Sequence, residues 1–355
     1  MHKIILAAAL VSITGAVMAQ SNQQVYRQRA LLLYQNAFTI FYDSSLHCFK
    51  ENIGDTAADK KPVSYLWPLC ALLQTANEME ALFAGKKYIE PAAAVIKKYY
   101  SAKLPHPGYE SYPPQMGGDA RFYDDNQWIG IAYMDAYSRT KNKDYLALSK
   151  EIYGFMLTGY DSISGGGLYW KEFDSTTKNT CSNGPGILLA LQLYNATHQQ
   201  KYLDTALLLY QWTYNTLYSP DGLFYDNIQL PSGKIDTRYF TYNAGTMLQS
   251  NVMLYKITNH KKYLLAAQSL AEKSLQHFFK NNLFPDNYWF NAVLLRGYQA
   301  LLQVDKQKKY IAAFKKYADK IWATQIKNGL VGQEKINTLI DQAGYAEILA
   351  RLAGL

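Results

Sequence analysis

One short run, Tyr123-Asp124-Asp125-Asn126-Gln127-Trp128, concentrates the residue types that do chemistry. Adjacent carboxylates have a plain structural use: Asp is a favoured N-cap, and a helix N-terminus stabilises negative charge. They also have a chemical one. Carboxyls on neighbouring residues can stand about 5–5.5 Å apart, the separation that suits displacement at a sugar's anomeric carbon with retention. One must be ionised to attack, and the other protonated to assist the leaving oxygen. A helix N-terminus lowers both pKa values, whereas mutual repulsion raises the second to ionise, so the two roles can separate. Asn126 and Gln127 can hold a carboxylate or a sugar hydroxyl, and Trp128 can wall one side.

Further candidates recur along the chain: Trp67, Gly165-Gly-Gly-Leu-Tyr-Trp170, Asn179-Thr-Cys-Ser-Asn183, Tyr242-Asn243-Ala-Gly245 and Asn287-Tyr288-Trp289-Phe290. Aromatic rings beside amides, with few other charges, suit a neutral polyhydroxylated ligand. Any one Trp alone reads as core packing. The chain holds 31 Tyr, 14 Phe and 6 Trp, 14% of its 355 residues, which can fill a core or line a groove that stacks flat ligand faces.

The elements that must position these residues form a repeat. Related turns occur at Gly85–Tyr88, Thr140–Tyr145, Thr197–Tyr202, Thr258–Tyr263 and Asp305–Tyr310, a period long enough for a supersecondary unit. After each turn comes an amphipathic pattern, as in Tyr202–Trp212 and Tyr263–Ala271. Before it comes a segment apolar nearly all round: 182–196 carries no charge, and 241–257 carries only Lys256. A helix without a polar face is buried on every side. Each unit therefore pairs an inner with an outer helix. Inner helices are expected near 65–83, 124–139, 182–196, 241–257 and 287–303. The two ends, Gln23–Tyr42 and Leu339–Leu352, supply a sixth hairpin. The expected fold is all-α, an (α/α)6 barrel of six helical hairpins in one domain, 20–355; an open solenoid is the rival and would need polar caps. Short turns then share one end of the barrel. The longer connections Pro105–Tyr123, Gly159–Cys181, Ser219–Phe240 and Asn281–Asp286 share the other, with the starts of the inner helices, and long loops on a rigid scaffold are where chemistry sits. Trp67, Trp128, Trp170, Tyr242 and Trp289 meet there.

Several function classes are excluded. Gly165–Gly167 lacks the Lys-Ser/Thr of a phosphate loop and follows no strand. His47, His106, His198, His260 and His277 have no ligand spacing, and Cys48, Cys70 and Cys181 are too few and too far apart for a zinc site or a disulfide framework; no metal and no cofactor is expected. No Gly-x-Ser-x-Gly elbow is present. The formal charge of +8 is spread over turns and helix faces without a recognition motif, so nucleic acid is not an expected partner. Residues 1–19 read as a signal peptide: His2-Lys3, an apolar run Ile4–Ala16, and Val17-Met18-Ala19 before the cut. A periplasmic or secreted protein is expected, with no membrane insertion once the signal is removed.

On these motifs, together with Asp221-Gly-Leu-Phe-Tyr225, the chain resembles the bacterial α-1,6-mannanases of glycoside hydrolase family 76 over nearly its whole mature length. The resemblance implies an (α/α)6 barrel and endo-hydrolysis of α-1,6-linked mannan with retention; α-mannan chains are the expected partner, and a monomer is expected. It places the nucleophile on Asp124 and the acid/base on Asp125. The shared position at the rim separately suggests substrate contacts among Trp67, Asn126, Gln127, Trp128, Trp170, Asn183, Tyr242, Asn243, Tyr288 and Trp289. Transglycosylation on mannan-type glycans and a noncatalytic glycan-binding barrel are the alternatives. The family's Gly-Asp turn element reads Asn142-Lys143-Asp144, His198-Gln199-Gln200 and Asn259-His260-Lys261 here, a departure that bears on turn stability and not on chemistry.

Overall fold

The computed structural model describes residues 22–54, 61–332 and 336–355; the signal segment expected at 1–19 lies outside them. Twelve helices occur among the described residues. Helix α1 spans 22–36 and runs on into a π turn at Ala37–Phe41. The next are α2 Leu66–Leu82, α3 Ile89–Ile96, α4 Tyr123–Thr140, α5 Lys143–Leu157, α6 Thr180–Thr197 and α7 Gln200–Leu217. Then follow α8 Thr241–Thr258, α9 Lys261–Phe278, α10 Tyr288–Asp305, α11 Lys309–Gln325 and α12 Leu339–Ala353. The even-numbered helices pack in the order α2, α4, α6, α8, α10, α12 and back to α2. That contact closes the ring, so the barrel is shut and not a solenoid.

The division into inner and outer helices follows from side-chain patterning. In α6 every residue from Thr180 to Leu191 is buried. In α9 the buried positions are Tyr263, Ala267, Leu270, Ala271, Ser274 and Phe278, a single stripe at helical spacing. Inner helices also approach closely. A Cβ on Gly245 would lie 2.5 Å from the Val293 carbonyl oxygen, so that glycine is what lets α8 and α10 touch.

The repeated Thr and Tyr have separable jobs in the turns. Thr140, Thr197 and Thr258 each donate to the carbonyl four residues back, at 2.8, 2.7 and 2.8 Å. Each accepts from the N–H two residues on, at 3.2, 3.3 and 3.3 Å. One hydroxyl thus ties off the inner helix and starts the turn, since a helix C-terminus leaves carbonyls without intrahelical partners. The chain reverses through left-handed residues Lys141, His198, Asn259 and Lys306. Tyr145, Tyr202, Tyr263 and Tyr310 then set their rings against Tyr133, Tyr153, Tyr210 and Tyr298.

The opposite rim departs from an all-α expectation. Two of its long connections pair their backbones into a four-stranded antiparallel sheet: β1 Tyr169–Lys171, β2 Asp174–Asn179, β3 Tyr225–Gln229 and β4 Lys234–Tyr239. Connections this long must satisfy their backbone groups, and adjacent loops do so through each other. Among the described residues no helix is long and apolar enough to cross a membrane, and Cys48, Cys70 and Cys181 are buried free thiols.

Candidate active site

At that rim the inner-helix starts enclose a cavity of about 650 Å³. Asp124 and Asp125 line it from the first turn of α4, where unpaired N–H groups face the carboxylates. No side chain caps this helix, so both Asp side chains are free for other work. Trp170 donates its indole N–H to Asp124 Oδ2 at 3.3 Å. The Cys70 thiol donates to the Asp125 carbonyl at 3.3 Å.

The two carboxyls differ electrostatically. Burial raises the pKa of Asp124, while the Cys181 thiol, nearby backbone N–H groups and the Trp170 indole work in the other direction. Burial raises Asp125 well above the usual carboxylate range, and the charge of Asp124 raises it further, with no opposing group. Near neutral pH the pair therefore holds one negative charge and one proton, the charge on Asp124.

Aromatic side chains form much of the enclosure. Trp67, Trp128, Trp170, Tyr242 and Trp289 all line the cavity, together with Tyr65, Phe122, Phe240 and Phe290. Trp128 and Trp289 meet edge to face at 5.5 Å and are almost wholly buried, so they build the floor. Trp170, 41% exposed, leans on Phe122 at 4.9 Å and forms an edge of the cavity from β1. The triple glycine before it is structural. Gly165, Gly166 and Gly167 all have positive φ, and a Cβ on Gly167 would sit 2.4 Å from the Trp212 ring.

Five residues expected to touch substrate do not line the cavity. Asn126 and Asn183 are fully buried and hold loops instead. The Tyr109 N–H donates to Asn126 Oδ1 at 2.7 Å, and Asn126 Nδ2 donates to the carbonyls of Tyr109 and Phe122 at 2.9 and 2.8 Å. Asn183 repeats the arrangement with Leu168 and Asn179: the Leu168 N–H donates to Oδ1 at 2.9 Å, and Nδ2 donates at 3.1 and 2.8 Å. A buried amide that mimics a strand neighbour satisfies the loop backbone and fixes it to the helix start. Tyr288 is buried against Tyr317 and Tyr345, with its hydroxyl donating to Gln325. Gln127 is sealed in the barrel wall, and Asn243 is buried beside Asp226.

Sequence reasoning missed the contribution of the sheet. Thr177, Asp226, Asn227 and Arg238 line the cavity from β2, β3 and β4, beside Asn179, which was among the sequence candidates. Asp226 is a third carboxylate there; burial raises its pKa, and Asn227 donates to it at 3.0 Å. Arg238 bridges Asp236 at 2.6 Å and Asp226 at 3.6 Å. The one signal available was position: Asp226 directly follows the Asp221-Gly-Leu-Phe-Tyr225 motif.

The model of glycosyl hydrolase family 76 matches residues 28–338. Over 168 residues the chain is 30% identical to a mannan endo-1,6-alpha-mannosidase of Saccharomyces cerevisiae, a match that takes in 41% of this chain and 37% of the yeast protein. The chain spans about two-fifths of the length of the curated relatives it matches. A glycoside hydrolase family 76 mannosidase from Bacteroides thetaiotaomicron superposes with a TM-score of 0.84 at 26% identity, over 92% of this chain and 98% of that one. A family 76 alpha-mannanase from the same organism gives 0.84 at 25% identity, over 93% and 95%.

Proposed function

The chain belongs to glycosyl hydrolase family 76, and we propose that it is an exported, endo-acting α-1,6-mannanase that cleaves with retention through Asp124 and Asp125. The observation that carries this reading is the adjacent carboxyl pair lining an aromatic cavity, where burial raises both groups and the Asp124 charge pushes Asp125 further above the usual carboxylate range. Its similarity to a yeast mannan endo-1,6-alpha-mannosidase and to bacterial family 76 mannosidases supports the choice of bond.

The chemistry proceeds in two displacements. Asp124 attacks the anomeric carbon while Asp125 passes its proton to the departing glycosidic oxygen, leaving a covalent glycosyl ester on Asp124. Asp125, now ionised, takes a proton from water, and the resulting hydroxide opens the ester. The Trp170 indole holds Asp124 in its attacking orientation. As the ester forms, Asp124 loses its charge, which removes the repulsion that kept Asp125 protonated and lets it act as a base. Trp67, Trp170 and Tyr242 offer faces to the C–H surfaces of sugar rings, and Asp226 and Asn227 accept or donate to hydroxyls. Residues 1–19 direct the chain to the periplasm or outside the cell, and the mature protein works as a monomer.

The test is incubation with unbranched α-1,6-mannan and with branched yeast mannan, followed by product sizing. Oligosaccharides from the unbranched polymer are expected. Release of mannose alone would overturn endo action, and absence of any product from either polymer would overturn the substrate assignment.

A further inference from the structure

The two most exposed large hydrophobic side chains among the described residues are Phe173 at 87% and Leu104 at 81%. They lie 69 residues apart in sequence, yet both hang on one buried ion pair. Arg121 donates to Glu172 through Nε and Nη2, each at 2.6 Å, with both side chains almost fully buried. The same guanidinium donates to the carbonyls of Lys103, Leu104 and His106 at 3.1, 3.4 and 2.8 Å. Glu172 and Phe173 are the two corner residues between β1 and β2, where Lys171 pairs with Asp174. The Glu172 N–H donates to the Arg121 carbonyl at 2.9 Å. Nothing at this corner is loose.

Phe173 itself is placed against backbone preference. Its φ is 58°, a left-handed conformation at a hairpin corner that ordinarily takes Gly or Asn. Its ring gains no packing in return. A bulky residue held in a sparsely populated region, on a rigid support, points to use of the side chain. Lys171, two residues before it, lines the cavity, as do Trp170 and Phe122. The Phe173 backbone is thus within about 7 Å of the backbone of Lys171, a residue of the cavity's edge.

We propose that Phe173, tied with Leu104 to the same Arg121–Glu172 pair, is a distal platform for the mannan chain as it leaves the cavity, and that it sets the preference for longer chains. The proposal rests on reading the cavity as a glycan site. Sugar rings present flat C–H faces that an exposed aromatic takes at small entropic cost. Two isolated apolar side chains flanked by Lys103, Lys171 and Asp174 are far too little surface for a stable protein interface, which needs about 1,000 Å². Continuity with the aromatic wall favours the polymer already in the cavity. The platform raises affinity for units remote from the reacting bond.

The test compares wild type, Phe173→Gly and Phe173→Trp on α-1,6-mannooligosaccharides of increasing length and on the polymer. Phe173→Gly relaxes the backbone and removes the ring, so its melting temperature is expected to equal or exceed that of wild type. Its kcat/KM on the polymer and the longest oligosaccharides is expected to fall roughly fivefold, with the shortest cleaved oligosaccharide unaffected and Phe173→Trp restoring the loss. Equal dependence on chain length in Phe173→Gly and wild type would overturn the platform while leaving the hydrolase assignment standing. Affinity electrophoresis in gels containing soluble neutral polysaccharides separates the two failures. If wild type cleaves no α-1,6-mannan, retardation by a polysaccharide that is lost in Phe173→Gly still supports the platform, and equal mobility of the two proteins at every polysaccharide overturns it.

Discussion

The two ends of the barrel are built from the same inner helices and use the carboxylates carried on those helices oppositely. At the rim, where inner helices begin, Asp124 and Asp125 face a cavity, and among the described residues no cation pairs with either. At the turn end, where those helices stop, a second cavity of about 820 Å³ is lined by Arg, Lys, Gln and Asn and by no aromatic residue. There the acids are matched. Asp135 holds Arg296 at 2.5 and 2.8 Å, and Arg351 spans Glu347 at 2.7 Å and Glu78 at 3.2 Å. Helix dipoles favour this polarity, anions at N-termini and cations at C-termini. A carboxylate that is buried and paired is architecture. Two that are buried together and unpaired hold a proton between them, and that is what catalysis requires.

Removing charge separates the ends most sharply. Asp124→Asn and Asp125→Asn are each expected to lower kcat/KM by about 10³-fold or more on α-1,6-mannan, and to raise the melting temperature at pH 7. The sign follows from linkage. Both folded-state pKa values lie above the unfolded value of about 3.9, so between the two the folded chain binds more protons and stability falls as pH rises. The penalty is complete above the folded pKa, and Asn abolishes it. The stability gap between Asp125→Asn and wild type should therefore close below about pH 4. A melting temperature lowered by Asp125→Asn at pH 7 would break the comparison.

The next largest effects concern paired charges. Arg121→Met strands a buried Glu172 and should cost about 3–5 kcal/mol in urea unfolding, and it loosens the hairpin and the approach to α4, so activity falls too. Arg296→Gln at the turn end should cost about 2 kcal/mol, since Asp135 is partly accessible, and should leave kcat/KM per folded molecule unchanged. Equal activity loss in both would erase the distinction between the ends.

Smaller shifts sharpen it. Asn183→Ala leaves the buried backbone of Leu168 unsatisfied and should cost about 1–3 kcal/mol, with a fall in kcat larger than the rise in KM because the loop carrying Trp170 is mispositioned. His198→Gly, which relieves a left-handed residue at the end of α6, should stabilise by about 0.5 kcal/mol without altering kinetics.

Legibility in the sequence tracked periodicity. Charge-free segments such as 182–196 announced inner helices because only a fully buried helix dispenses with a polar face, and the repeated Thr and Tyr marked the turns that join them. The positions of Trp67, Trp128, Trp170, Tyr242 and Trp289 followed from being at helix starts or just before them. The four-stranded sheet did not follow, because its two hairpins join through β2 and β3, which lie in different connections, and no local pattern encodes that pairing. Asn126 and Asn183 were misjudged for a related reason: an amide looks the same in sequence whether it faces a ligand or the backbone of a loop. Asp226 went unnoticed because an isolated Asp after an aromatic motif has no spacing to read.

The most direct test of the division of labour between Asp124 and Asp125 is proton NMR of the anomeric signals during cleavage of an α-1,6-mannooligosaccharide by wild-type protein. The account predicts that the α-anomer of the new reducing end appears first and mutarotates afterwards, as a covalent ester on Asp124 demands. First appearance of the β-anomer would mean that water attacks directly, and would contradict it.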